Sequence, residues 1–114
     1  MVPLKVKKAV IDIGTNTFNL LIARADISGI AIVETHKEAV SLGMGGINDN
    51  RIADSAIKRA MNAFKAFKVI LDVHGISKPR LIATSAVRDA KNAASFVSLI
   101  SETFNWQVDI ITGL

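Results

Sequence analysis

The 114-residue sequence has no cysteine, two prolines and two histidines. Without cysteine, disulfide frameworks, thiolate zinc sites and cysteine nucleophiles are all excluded. His36 and His74 alone are too few for a multi-histidine metal centre. Scarce proline, with 50% hydrophobic and 21% charged residues, excludes a disordered tail, a collagen-like repeat and a low-complexity segment. Long apolar runs are missing too. Leu20–Ala23 and Leu81–Ala83 fall far short of the ~20 residues that cross a bilayer. Asp12 interrupts the apolar stretch Ala9–Ile11 behind the N-terminal lysines, so that stretch is no signal-peptide core. What is left is a soluble chain of one-domain size, long enough to bury a core, with the cytoplasm as the default compartment. Its formal charge of +4 would suit a polyanionic partner, with an ordinary solvated surface as the plainer reading.

Periodicity divides the chain into elements. Lys8–Asp12 reads as a short buried strand ending in the turn signal Gly14-Thr15-Asn16-Thr17. Phe18–Ala25 and Ile30–Val40 read as strands joined at Ser28-Gly29, a hairpin signature. Ser41–Gly46 carries three glycines and reads as a flexible loop. After Asn48-Asp49-Asn50 the period changes. Ile57, Met61, Phe64, Phe67 and Leu71 mark the apolar face of a long helix, with Lys58, Arg59, Lys65 and Lys68 on a solvated face and Gly75 past its end. Arg80–Thr84 reads as a strand. Asn92 is the expected N-cap of a second helix carrying Phe96, Val97, Ile100 and Phe104, and Gln107–Ile111 as the last strand. The phenylalanines belong to a helix-to-sheet core. His36, His74, Asp72 and Asp109 read as structural or solvated.

This order predicts an α/β fold with a mixed five-stranded sheet. Two helices cannot cover such a sheet, so the chain reads as a piece of a longer protein. Val108, Ile110 and Ile111 are the residues expected to be left partly uncovered.

Two segments could carry chemistry. In Asp12-Ile13-Gly14-Thr15-Asn16-Thr17 a strand delivers a carboxylate to its C-terminal end, and a glycine turn follows with hydroxyl, amide and backbone N–H donors. Such a turn suits phosphate oxygens, and Asp12 could hold Mg²⁺ through water; a plain hairpin with polar turn residues is the alternative. The second segment, Thr84-Ser85-Ala86-Val87-Arg88-Asp89, again leaves a strand for a helix, where ligands gather in α/β sheets. Ser85 and Arg88 could grip a phosphate; alternatively Ser85 caps the turn and Arg88 pairs with Asp89.

Together, Ala9–Phe18 and Ala83–Ala90 resemble the two N-terminal signatures of the exopolyphosphatase/guanosine-pentaphosphate phosphohydrolase family, with Leu42-Gly43 and Ile111-Thr112-Gly113 also fitting. The resemblance implies a ribonuclease-H-like fold of the actin-like ATPase and sugar-kinase superfamily. The chain would then be the N-terminal part of the first of two lobes. The implied reaction is hydrolytic removal of the terminal phosphate from polyphosphate or guanosine pentaphosphate, assisted by Mg²⁺. Gly14, Thr15, Asn16, Thr17, Ser85 and Arg88 would bind phosphate and Asp12 would lie near the metal. The partners implied are these phosphate compounds rather than nucleic acid or membrane, and a homodimer of the full-length chain. Two departures stand out. Asn19 occupies a position where many members have arginine, and the glutamate that positions water, with a later glycine-rich loop, is expected beyond Leu114. On this reading no catalytic residue lies within the chain, and the piece alone turns over poorly. An ATP-dependent kinase or ATPase of the same superfamily, or a non-catalytic phosphate-binding piece, are the competing readings.

Overall fold

In the first half of the chain burial alternates with period two along the first two strands, Val6–Ile13 and Thr17–Asp26. The structure, a computed structural model, describes residues 6–43 and 50–112. That first half forms β1 (Val6–Ile13), β2 (Thr17–Asp26) and β3 (Gly29–Ala39), an antiparallel meander. The turn between β2 and β3 is Ile27-Ser28, one residue earlier than Ser28-Gly29. Asp26 Oδ1 accepts from the N–H and the Oγ of Ser28 there, and Gly29 takes the positive φ of 130° that opens β3. β1 and β2 run past the sequence pattern at both ends, whereas β3 is shifted one residue earlier at the expected length.

The second half supplies α1 (Asp54–Val73), β4 (Arg80–Ala83), α2 (Ser85–Arg88), α3 (Ala93–Phe104) and β5 (Val108–Ile110). The sheet order is β3-β2-β1-β4-β5, with β4 parallel to both β1 and β5. The mixed five-stranded sheet is therefore as expected. The single turn of α2 was not, because four residues give a helical period nothing to repeat over. Residues 44–46 of the expected glycine loop, Asn48-Asp49, and Gly113 lie outside the described residues.

Helix α1 contains no glycine or proline, opens with Asp54 in its first turn, and ends in a complete Schellman motif. There Gly75, at φ 70°, gives its N–H to Asp72 O at 3.1 Å, and Ile76 N–H reaches Leu71 O at 2.9 Å. Its buried face is Ala56, Ala60, Ala63, Phe64, Phe67 and Leu71. Ile57 and Met61, expected on that face, sit half-buried at its flank, because the small alanines take the line nearest the sheet. Asn92 stands at the start of α3 but makes no capping bond to it. Its amide is committed elsewhere, as described below.

One sheet face carries the core. Ile11 stands beside Leu20 and Leu81, and Ile13 beside Phe18 and Ala83, all buried. Phe18 stacks on Phe64 of α1 at 5.1 Å. Phe64 meets Phe104 and Trp106 edge-on, and those two rings stack at 4.6 Å. Truncating such a buried ring costs about 3–5 kcal/mol. On the alternate face Val10, Leu21, Ala23 and Ile82 are only half-buried. A register shift in the β2–β3 ladder, between Ile22 and Ala23, places Ile32 beside Ala23 and Ile30 beside Ala25 on this open face. Ile30 (80% exposed) and Ile32 (68%) are thus more uncovered than Ile110 and Ile111, while Val108 packs against the core. Among the described residues no helix is long and apolar enough to cross a membrane.

Candidate functional site

Because β1 and β4 are adjacent and parallel, Ile13 pairs with Ala83 and both chain segments leave the sheet at the same edge. The turn Gly14–Asn16 and the segment beginning at Thr84 therefore lie side by side at the C-terminal ends of parallel strands, where α/β sheets bind ligands. The glycine is required by a close approach: a Cβ on Gly14 would stand 2.7 Å from Thr17 O.

The carbonyls of this turn are committed inward. Asn16 O accepts from Val40 N–H (2.9 Å) and Ser41 N–H (2.8 Å), and Thr15 O accepts from Leu42 N–H (2.7 Å). Thr15 and Asn16 themselves are exposed. The segment held this way is gripped from its other side by Arg59, which donates to Val40 O at 2.7 Å and Ser41 O at 3.0 Å. Arg59 is thus not part of the solvated face of α1 that the pattern suggested, because its guanidinium satisfies carbonyls left bare where β3 ends. Lys58, Lys65 and Lys68 do remain exposed.

On the other side, α2 is anchored by buried Val87, and its backbone closes through Arg88 N–H to Thr84 O and Asp89 N–H to Ser85 O. Asn50, at φ 52°, accepts from Lys91 N–H through its carbonyl at 2.7 Å. The Asn92 amide bonds both backbone groups of Ile52, at 2.8 and 2.9 Å. Residues 50–52 are thus fastened to the α2–α3 connection.

These segments enclose a cleft of about 450 Å³ lined by Thr15, Gly43, Arg51, Ser85, Asp89 and their neighbours. Of the residues the sequence nominated, Thr15 and Ser85 line it. Gly14, Asn16 and Thr17 shape the turn behind Thr15. Arg88 turns to Asp89 (Nε to Oδ1, 3.1 Å) and toward Ile111 O (3.5 Å), the pairing that was the plainer expectation. Asp12 is exposed and stands opposite Asn19 and Ile82 on the open sheet face. Arg51 was missed, because no period or motif singles out one residue between a turn and a helix.

The two histidines are not isolated. Glu34 of β3 bonds His36 Nε2 with one oxygen and His74 Nε2, at 2.8 Å, with the other; Lys7 Nζ reaches His74 Nδ1 at 3.3 Å. The hydrogen bonds from His36 and then His74 hold the Glu34 carboxyl below its ordinary value. This cluster ties the C-terminal end of α1 to β3. Among the described residues no group of three or more His, Asp or Glu could hold a metal.

A model of the Ppx/GppA phosphatase family matches residues 21–114. The crystal structure of an exopolyphosphatase from Cytophaga hutchinsonii superposes with a TM-score of 0.88 at 38% identity, over 93% of this chain and 34% of that one. The Ppx/GppA family member of Aquifex aeolicus gives 0.88 at 27% identity, over 96% and 36%. An exopolyphosphatase-like protein gives 0.87 at 35% identity, over 96% and 33%. The chain spans about a third of the length of these structures.

Proposed function

Since the chain belongs to the Ppx/GppA phosphatase family and has its ribonuclease-H-like, actin-like ATPase fold, we propose that it serves a phosphohydrolase that removes the terminal phosphate from inorganic polyphosphate or guanosine pentaphosphate. It would be the opening part of the first of two lobes in a longer chain, a cytoplasmic homodimer. The observation that carries the reading is the convergence of Thr15 and Ser85 on one cleft at the ends of two parallel strands.

In this reading Gly14 keeps the turn tight while the donors of Thr15, Asn16 and Thr17 meet phosphate oxygens from one side. The Ser85 hydroxyl meets them from the other. Arg88 would keep its Nε bond to Asp89 and meet phosphate through its remaining N–H donors. Work of this kind is positioning and charge neutralisation around an in-line water. Mg²⁺ binding needs only one or two carboxylates with phosphate oxygens and water, and Asp12 offers one, an exposed carboxylate that bonds no other described side chain. The cation would supply charge neutralisation.

The test is phosphate release by the full-length chain with polyphosphate, guanosine pentaphosphate and ATP, each with Mg²⁺. Release from either of the first two is expected, and none from the 114-residue chain alone. Turnover of ATP only, or of nothing, would overturn the reading.

A further inference from the structure

Resting on the phosphohydrolase reading, we propose that Arg51 holds the phosphoryl group next to the terminal one, making the cleft a site for two or more linked phosphates. Arg51 and Asp89 are the charged residues lining it. Asp89 is engaged by Arg88. Arg51 is exposed and makes no hydrogen bond or ion pair with another described residue.

Its backbone is fixed on both sides. Asn50 O is held by Lys91 N–H, and Ile52 by the paired bonds of Asn92. A guanidinium unpaired among the described residues, on an anchored backbone, is prepared for a ligand, because the main-chain ordering cost has already been met in the fold. Its planar fork matches two oxygens of a phosphate, which a lysine ammonium would meet only as a point charge.

Size supports more than one phosphate. At about 30 Å³ per water in the liquid, a cleft near 450 Å³ has room for about fifteen waters. The terminal phosphate would sit between the Thr15 turn and Ser85, leaving the Arg51 side of the cleft for the next group. The ligand chemistry is a chain of phosphoanhydride-linked phosphates, whether inorganic or carried by a nucleotide.

The experiment uses the full-length chain and its Arg51→Gln and Arg51→Lys variants, titrated calorimetrically with orthophosphate, tripolyphosphate and guanosine pentaphosphate. Thermal midpoints check that the variants fold. Arg51→Gln is expected to weaken tripolyphosphate binding at least about tenfold, the loss typical of a charged hydrogen bond, and orthophosphate binding far less. Arg51→Lys should recover part of the loss. A matching loss with guanosine pentaphosphate assigns the site to both sources; a loss with one alone assigns it to that one. Losses for orthophosphate as large as those for the linked phosphates, or no loss for tripolyphosphate and guanosine pentaphosphate alike, would overturn the proposal. If the wild-type chain hydrolyses none of these compounds, the phosphohydrolase reading fails separately, while the binding contrast still decides Arg51.

Discussion

The side-chain amide of Asn92 grips the backbone of Ile52 at both ends, accepting from its N–H at 2.8 Å and donating to its carbonyl at 2.9 Å. Ile52 is buried, so both backbone groups would otherwise lack a partner away from water. Asn92→Asp keeps the shape but removes the donor, leaving the carbonyl unpaired beside a like-charged oxygen. Urea unfolding should show a loss of about 1–3 kcal/mol. A loss within about 0.5 kcal/mol, ordinary for a surface change, would mean the grip contributes little.

A second prediction concerns the first turn. A methyl group on Gly14 would stand 2.7 Å from Thr17 O, so Gly14→Ala must displace backbone rather than a side chain. We expect lower thermal stability and, in the full-length chain, phosphate affinity reduced more than by Thr15→Ala, read by calorimetry with orthophosphate. Unchanged stability would show that the turn can relax.

The Glu34 cluster predicts a pH dependence. A carboxyl whose folded pKa lies below its ordinary value near 4.5 stabilises the fold fully above that value, and the contribution is lost as pH falls through the lowered one. Glu34→Gln should therefore lower the thermal midpoint at pH 6, and the gap from wild type should close on acidification into the range below about pH 4. A gap that persists undiminished at low pH would point to packing rather than charge.

The open sheet face predicts association. Ile30 and Ile32 stand exposed on an edge strand beside Ala23 and Ala25, the type of surface that recruits other chains. Ile32→Lys in the 114-residue chain should lower the weight-average mass seen by sedimentation at high concentration and reduce binding of an apolar dye. A monomeric wild type with no dye binding would count against it.

Much of this was legible in the sequence where the physics is local. The apolar runs in Lys8–Asp12 and Phe18–Ala25, each bounded by a turn signal, announced the strands, and the recurrence of Phe64, Phe67 and Leu71 announced α1. Gly75 marked the helix end because only one backbone conformation closes it well. Thr15 and Ser85 could be nominated because each follows a strand whose end is visible in the pattern. Most of the misses are long-range. Asn92 has cap chemistry, but its partner Ile52 lies forty residues earlier. Arg59 sits among lysines on the helical pattern, and only the bend at Ser41 gives it carbonyls to satisfy. His74 could not be given its partner because Glu34 reaches it only once β3 and the end of α1 are brought together. The turn shifted to Ile27-Ser28 because Asp26, with a side chain that bonds the backbone two residues on, sets its start.

The ring stack at the end of α3 gives the molecule an optical reporter of its own. Trp106 is the sequence's one tryptophan, 3% exposed, face to face with Phe104 and two residues before β5. Its indole emission should lie to the blue of a water-exposed tryptophan and move red when the last strand peels from β4. Fluorescence can then follow the docking of that strand, and so of the edge beside Ala83 where the cleft begins, without any label.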